Sequence, residues 1–316
     1  MVSKKIFQDV QKFLSGKKEY TFINPGENFM YPIDLDFTLD NELIYYHPKD
    51  KMGVPLKEYK SVGSKYNPTR VAAYGLSHWN RYQLGNNNYN LEEYKKVLGW
   101  FEKNHEEGKW YYYFDWEELS SPWISCMAQG EAISILTRGY FLTKDPKYLD
   151  IAILALSPFE KSTLGGGVLS LLNKNDIFFE EYPVKDAVHV LNGFLYSLIG
   201  IIELRKILPE DHSKFERVNS LLSKAIGSIE RNIGRWEFSN WSTYDLSNEN
   251  TKIRNYCTIS YHSLQVSQLK YISNEVGSKK LLDVSNRWEG YMNSPLNRIH
   301  ALIGKSYFRL KNPAQR

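Results

Sequence analysis

The sequence predicts a mainly α-helical protein, an incomplete (α/α) toroid with a small N-terminal cap of β-hairpins and loops. From Val71 onward, apolar residues recur at helical spacing and the strand signal is sparse. The predicted helices alternate between apolar helices that carry small residues and amphipathic helices rich in charge. The inner and outer helices of a toroid would show this alternation, although the chain has no clear internal repeat.

The cap is predicted to span residues 1–70. Residues 1 to about 16 favour a short amphipathic helix, with Ile6, Val10 and Phe13 at helical spacing and Gly16 as its stop. The segment that follows, up to residue 70, is rich in Pro, Gly, Asn and Asp and contains alternating pieces such as IDLDFTL. This composition indicates hairpins and loops.

The toroid domain is predicted to span residues 71–316. Its helices are expected at about 71–82, 90–104, 123–142, 146–157, 188–207, 213–230, 257–274 and 279–292. The small residues of the apolar helices are Ala128, Gly130, Ala132, Gly139, Gly193 and Gly200. We expect the aromatic loops between the helices to gather at the end where the inner helices begin.

Composition limits the functional classes. The 316 residues, 42% of them hydrophobic, can bury a large core, and a net charge of +4 without a basic run does not indicate nucleic acid. Cys126 and Cys257 are too few for a disulfide framework or a zinc site, so we expect two buried thiols, a reducing compartment and no metal or cofactor. The first residues contain no apolar stretch typical of a leader, and no apolar run is long enough to span a membrane, so we expect a cytoplasmic location.

Aromatic residues are in excess, at 15% of the chain with 23 tyrosines and 8 tryptophans. Such side chains either pack in a helical core or stack on sugars, and we assign most of them to packing.

The stretch 176–204 places two carboxylates at the mouth of the helical core. Glu180, Glu181 and Tyr182 directly precede Pro183, and an apolar helix follows. Because proline disfavours a helical conformation for the residue before it, these three side chains should lie on an extended segment. From these residues alone, Glu181 is better explained as a charge that interacts with the dipole of the next helix than as a catalytic group.

Several other residues are candidates for binding. Arg70, Tyr74 and His78 occur at positions i, i+4 and i+8, so one helical face would carry a cation, a phenol and an imidazole. That face is either the wall of a cleft or a structural stripe. Further candidate sugar contacts, each of which also fits packing or a core hydrogen bond, are Trp123, Gln129 and Asn192.

Six segments together resemble the D-glucuronyl C5-epimerases of heparan sulfate and heparosan biosynthesis. In chain order they are GVPL (53–56), YNPTRVAAYGLSHW (66–79), WISCMAQGEAISILTRGYFLTKD (123–145), FFEEYP with VLNGFLYSLIG (178–200), TYDL (243–246) and YHSLQVSQL (261–269). The resemblance implies an (α/α) toroid, an acidic polysaccharide as partner, and inversion at C5 of D-glucuronate to L-iduronate. A β-sheet region that follows the second segment in the animal enzymes is absent here.

The resemblance also implies roles for particular residues. By motif, the catalytic groups are Glu181, Tyr182, Tyr244 and Tyr261. Inversion requires a base on one face of the sugar and an acid on the other, and a glutamate shielded by Phe178 and Phe179 would have a raised pKa suited to a base. The tyrosines could instead be packing residues, and Tyr244 could be a binding residue.

A phenol needs nearby positive charge to lose its proton, and Arg254 and His262 lie close to Tyr261 in the sequence. Ser247 follows TYDL, where the animal enzymes have an arginine, so Lys252 or Arg254 would have to replace that cation.

Two other functions are compatible with the sequence. A polysaccharide lyase removes the same C5 proton and then cleaves the chain. A hydrolytic or noncatalytic toroid would pair Glu180 and Glu181 with Asp115 or Asp245. The sequence also leaves open a homodimer.

Overall fold

The computed structural model describes residues 2–85 and 87–312, with the side chains of residues 2–8 outside the description. Ile6 of the predicted N-terminal stripe therefore lies outside the described side chains. The helices are α1 (Val2–Ser15), α2 (Asp36–Leu39), α3 (Glu42–Tyr45), α4 (Pro68–Gly85), α5 (Asn88–Lys103), α6 (Cys126–Thr143), α7 (Lys147–Leu154), α8 (Leu191–Ile207), α9 (Phe215–Asn232), α10 (Ile259–Val276), α11 (Lys279–Asn293) and α12 (Pro295–Lys311).

The strands form antiparallel hairpins of two strands each. They are β1 (Lys57–Tyr59) with β2 (Gly63–Lys65), β3 (Leu169–Leu171) with β4 (Ile177–Phe179), and β5 (Glu237–Phe238) with β6 (Trp241–Ser242). The first hairpin belongs to the cap, and the other two interrupt the loops that precede α8 and α10.

All eight helices predicted from periodicity are present, as α4 to α11. Two of them begin three residues later than predicted, because Ser125 and Val190 adopt extended backbone before α6 and α8. Helix α12 was not predicted. It begins after Ser294, whose hydroxyl accepts a hydrogen bond from the backbone N–H of Asn297, and Pro295 occupies its first position.

The long helices form two layers. Helices α4, α6, α8 and α10 pack side by side in chain order, and each of them is covered by the helix that follows it, α5, α7, α9 or α11. Helix α1 packs on α10 and α12, while α2 packs on α4. The fold is the predicted incomplete (α/α) toroid, in which the N-terminal elements lie against both end helices of the inner row.

Glycines allow α6 and α8 to lie unusually close together. A Cβ added to Gly200 would be 2.1 Å from the carbonyl oxygen of Gly130, which no side chain tolerates. Deeper in the same interface, Arg138 of α6 donates to both carboxylate oxygens of Glu203 of α8, at 2.8 and 2.7 Å, with both side chains buried. The small residues of the predicted inner helices are therefore packing positions.

The cap and the toroid share a core. Phe13 of α1 lies with its ring centroid 5.9 Å from that of Trp241, and the backbone N–H of Tyr31 donates to Asn80 of α4 at 2.7 Å. The division of the chain at residue 70 into two domains stays a prediction, and the last four residues of the second lie outside the described part.

Cys126 and Cys257 are buried free thiols, as predicted. Within residues 2–85 and 87–312, no helix is both long enough and apolar enough for a membrane crossing.

Candidate active site

A pocket opens where the inner helices begin. Asn67 and Thr69 border it at the start of α4, Ser125 at the start of α6, and Glu181 and Tyr182 in the segment before α8. Its remaining lining residues are Lys57, Tyr59, Tyr112, Phe114, Trp116 and Trp123. Because the N-terminus of a helix carries partial positive charge, this end of the toroid suits an anionic ligand.

The hairpin of β3 and β4 holds the backbone that carries the two carboxylates. The N–H of Glu180 donates to the carbonyl of Val168 at 2.7 Å, and the carbonyl of Glu180 accepts from the N–H of Cys126 at 3.0 Å. Glu181 comes next and lies against Gly193 in the first turn of α8, where a Cβ would be 2.7 Å from the Oε2 atom of Glu181. The position of this carboxylate therefore depends on a glycine.

Glu181 has the electrostatics of a general base. Its side chain is buried, and burial raises the pKa of Glu181 to about 7. Tyr182, Tyr244 and Asn192 oppose that rise, because their polar groups favour the charged carboxylate. The amide of Asn192 donates to Oε2 at 3.4 Å. A carboxylate that titrates near neutral pH can both accept and return a proton there.

The carboxylate of Glu180 contacts residues that do not line the pocket. Its Oε1 atom accepts from the hydroxyl of Ser170 at 2.5 Å and lies 2.7 Å from Nδ1 of His189, while Oε2 accepts from the backbone N–H of His189 at 3.1 Å. These contacts join β3 to the loop before α8. Of the two adjacent carboxylates, only Glu181 lines the pocket.

Tyr182 and Tyr244 lie beside Glu181, and Tyr261 contacts Tyr244. The rings of Tyr244 and Tyr261 meet edge to face, with centroids 5.2 Å apart. The ring centroid of Tyr182 lies 6.3 Å from that of Trp123. Burial raises the pKa of Tyr182 and of Tyr244 well above the usual value, so both phenols are proton donors at neutral pH.

Tyr261 differs from the other two because it is 39% exposed. It occupies the first turn of α10, where its backbone N–H donates to the capping hydroxyl of Thr258 at 3.3 Å. Tyr244 is fixed through its backbone: its N–H donates to the carbonyl of Asn255, and its carbonyl accepts from the N–H of Leu191 at the start of α8. Both phenols are thus placed by main-chain contacts at helix starts.

Aromatic rings form one wall of the pocket. Trp123 stacks on Tyr112, with ring centroids 4.0 Å apart and planes 7° from parallel. Tyr112, Phe114 and Trp116 come from one extended segment and point to the same side at every second position. Sequence reasoning missed these three residues, although their alternation in WYYYFDW was a usable signal.

Gln129 does not reach the pocket. Its amide oxygen accepts from the N–H of Trp110 at 3.0 Å, and its amide nitrogen donates to the carbonyl of Gly108 at 2.8 Å. The predicted sugar contact is therefore corrected: Gln129 holds the loop that leads into the aromatic wall.

The predicted stripe on α4 does not form a wall of this pocket, since α5 and the cap cover it. Tyr74 is buried, donates to Glu93 of α5 at 2.6 Å and accepts from Lys49 at 2.7 Å. His78 is also buried, with Nδ1 2.7 Å from the side-chain oxygen of Asn90. Arg70 is half-buried and donates to the carbonyl of His47 at 3.2 Å.

The structure also corrects the predicted assistance to Tyr261. His262 is buried, with its ring stacked on Trp241 and its Nε2 atom 2.9 Å from the carbonyl of Trp288. Burial lowers the pKa of His262 to about 4, so this imidazole is neutral and faces the core. Arg254 lies over the ring of Phe238, with its guanidinium 5.1 Å from the ring centroid.

The two aspartates considered for a hydrolytic carboxylate pair accept hydrogen bonds within their own loops. Asp115 accepts from the N–H of Ser121 at 2.8 Å. Asp245 accepts from the hydroxyl of Ser247 at 2.6 Å and from the amide of Asn255 at 2.5 Å. Ser247 thus stabilises a turn, and Lys252 in the same turn is exposed.

Sequence reasoning missed three charged residues at the site. Lys57 lines the pocket, and Lys305 of α12 lies beside Tyr244. Glu131 of α6 is buried, and burial together with the charge of Glu181 raises the pKa of Glu131 well above the usual value. Its position in the apolar run of α6 gave no signal. In the described part of the chain, no group of three or more His, Cys, Asp and Glu side chains is arranged to hold a metal ion.

Comparison with the sequences of known proteins identifies the family of this chain. Residues 103–290 match the family model described as D-glucuronyl C5-epimerase C-terminus. A D-glucuronyl C5-epimerase of Caenorhabditis elegans is 34% identical over 181 residues, which are 55% of this chain and 29% of the relative. An uncharacterised protein of Methanocaldococcus jannaschii is 26% identical over 192 residues, 59% of either chain. The chain thus spans less than two thirds of each relative.

Two solved structures share the fold. A polysaccharide lyase has a TM-score of 0.50 at 9% identity over the whole of both chains. The GH76 α-mannanase of Bacteroides thetaiotaomicron has a TM-score of 0.53 at 12% identity over 97% of both chains. At these identities the likeness concerns the fold alone.

Proposed function

Because this chain belongs to the family described as D-glucuronyl C5-epimerase C-terminus, we propose that it inverts C5 of D-glucuronate units in a heparosan-like polysaccharide and so produces L-iduronate. The observation that carries the proposal is Glu181, a buried carboxylate whose pKa is raised to about 7, among tyrosine phenols at the start of the inner helices.

The first step is removal of the C5 hydrogen by Glu181. The C5–H bond breaks, the proton goes to the carboxylate of Glu181, and the electron pair is delocalised onto the uronate carboxylate. A base with a pKa near 7 is ionised at neutral pH and yet basic enough to contribute to this transfer. The intermediate carries an extra negative charge and needs donors at its oxygens.

The second step is protonation of C5 from the opposite face. A tyrosine O–H donates the proton, and water later restores both the phenol and the Glu181 carboxylate. Tyr261 suits this role because its ring is partly exposed and contacts Tyr244, whereas Tyr244 and Tyr182 are half-buried beside Glu181. Since the raised pKa values keep those two phenols protonated, they can donate hydrogen bonds to the charged intermediate.

The walls of the pocket agree with an acidic sugar polymer. The pocket is lined by aromatic rings, of which that of Trp116 is partly exposed and could contact a sugar ring, and Lys57 adds positive charge at the same opening. Helix N-termini at the base of the pocket favour the uronate carboxylate further.

Incubation with heparosan in deuterated water tests the proposal. An epimerase incorporates deuterium at C5, produces iduronate signals in the NMR spectrum, and leaves the chain length unchanged. Absorbance from an unsaturated uronate would show that the protein is a lyase instead. New reducing ends without that absorbance would show that it is a hydrolase. Absence of any change in polymers that contain glucuronate would reject all three.

A further inference from the structure

Helix α12 brings a lysine to Tyr244 from outside the region that matches the family model. The Nζ atom of Lys305 lies 5.9 Å from the ring centroid of Tyr244 and donates to the side-chain oxygen of Asn255 at 2.6 Å. The amide nitrogen of Asn255 in turn donates to Asp245 at 2.5 Å. The matched region ends at residue 290, before α12 begins.

The charge of Lys305 is not neutralised locally. Within residues 2–85 and 87–312, its ammonium makes no salt bridge with a carboxylate and donates to the neutral side-chain amide of Asn255. An ammonium has three N–H donors, so two remain for another acceptor. The neighbouring Arg309 of the same helix is instead paired with Asp9 at 2.8 Å.

The proposed reaction needs cations or hydrogen-bond donors at the carboxylate of the uronate unit that reacts. Proton removal from C5 adds negative charge to a group that is already a carboxylate, and such charge is stabilised by positioned donors and cations. Arg254 lies on Phe238, and Lys252 is exposed in a turn, so neither takes this position in the structure. Lys57 lies on the Tyr182 side of the pocket. Lys305 lies on the Tyr244 side.

We propose that Lys305 binds the carboxylate of the uronate unit that reacts, on the Tyr244 side of the site. The assignment rests on the proposed function and adds to it a binding residue from a helix outside the family match. Asn255 orients the ammonium, and the link from Asn255 to Asp245 ties that orientation to the loop that carries Tyr244.

The surroundings of Lys305 predict how activity should depend on pH if this residue binds the substrate carboxylate. Burial lowers the pKa of Lys305 to about 8. The charged and titratable groups around it are Tyr244, Asp245 and Cys257 in the loop before α10, Arg309 of α12, and Asp9 of α1. The ammonium therefore loses its proton as the pH rises through about 8, and kcat/KM should fall over that range.

Binding measurements on carboxylated and carboxyl-reduced heparosan test the role directly. Wild-type protein should bind the carboxylated polymer more tightly than the carboxyl-reduced one. In Lys305→Met the ratio of these two affinities should fall about tenfold, as expected for the loss of one charged hydrogen bond. Lys311→Met removes an exposed charge from the same helix and should keep the preference. An unchanged preference in Lys305→Met, or a wild type that binds both polymers equally, would overturn the assignment.

A charge-preserving variant covers the case in which Lys305→Met fails to fold. Lys305→Arg keeps a cation that stays charged at all accessible pH values, so its kcat/KM should remain level where that of the wild type falls above pH 8. The same fall in both proteins would overturn the assignment. Failure of the wild type to exchange C5 hydrogen would reject the proposed function, whereas the polymer preference tests Lys305 without turnover.

Discussion

Gly193 lies so close to Glu181 that a Cβ at position 193 would be 2.7 Å from the Oε2 atom of that carboxylate. Gly193→Ala should therefore displace Glu181 and reduce kcat by about a hundredfold, since a shift of about 1 Å in a catalytic group has that cost. The measurement is turnover on heparosan together with the melting temperature.

Gly99→Ala is the matched control, because Gly99 is in helix α5 and a Cβ there meets no atom within 4 Å. Alanine at this position should stabilise the protein by roughly 0.5–1 kcal/mol and leave turnover unchanged. Full activity of Gly193→Ala would show that the position of Glu181 is not set by this contact.

Glu180→Gln should affect stability more than chemistry. In the variant an NH2 group replaces one carboxylate oxygen, so the side chain can no longer accept from both the hydroxyl of Ser170 and the backbone N–H of His189, the two bonds that join β3 to the loop before α8. We expect the free energy of unfolding to fall by about 1–3 kcal/mol, and the turnover of the folded protein to stay within about tenfold of the wild type. Urea unfolding and normalised turnover measure the two effects. A loss of turnover comparable to that of Glu181→Gln would place Glu180 in the reaction.

The pKa of Glu181 predicts how both activity and stability depend on pH. Because the base must be ionised, kcat/KM should rise with pH through about 7. The raised pKa means that the folded state binds this proton more tightly than the unfolded state does, so the wild type loses stability as the pH rises from about 4.5 to about 7.

Glu181→Gln has no such proton and should be more stable than the wild type above pH 7, by up to about 3 kcal/mol. The difference should vanish below pH 4.5, where the carboxyl is protonated in both states. Thermal melts of the two proteins at pH 5 and pH 8 check this prediction. Equal stability at pH 8 would mean that the pKa of Glu181 is not raised.

Tyr261→Phe should separate exchange from inversion. If Tyr261 protonates C5 from the face opposite Glu181, its loss removes inversion while the surviving base still exchanges the C5 hydrogen of one epimer on its own face. NMR in deuterated water should then show deuterated glucuronate without iduronate. Tyr307→Phe, which changes an exposed tyrosine of α12, is the control. Normal inversion by Tyr261→Phe would transfer the acid role to Tyr244 or Tyr182.

Local signals in the sequence were enough to predict the helices and the surroundings of Glu181. Helical periodicity depends on neighbouring residues alone, so it predicted α4 to α11. Pro183 placed Glu181 and Tyr182 outside a helix, where the structure has them. The resemblance to D-glucuronyl C5-epimerases, based on six short segments, is confirmed by the family match.

The predictions that were wrong depend on which distant element of the chain packs against a side chain. Helical spacing correctly placed Tyr74 and His78 in one helix, but it could not indicate that Glu93 and Asn90 of α5 would bond them. His262 is adjacent to Tyr261 in the sequence, yet the two side chains of a helix at i and i+1 point in different directions. Lys305 was missed because its contact with Tyr244 joins residues 61 positions apart and its helix was not predicted.

The central claim is that Glu181 removes the C5 proton of a glucuronate unit. The most direct test is deuterium incorporation at C5 of heparosan in deuterated water, measured for wild type, Glu181→Gln and Glu180→Gln at pH 8. We predict incorporation with intact chains for the wild type, a rate lower by roughly two to four orders of magnitude for Glu181→Gln, and a rate close to wild type for Glu180→Gln. Incorporation at the wild-type rate by folded Glu181→Gln would contradict the claim.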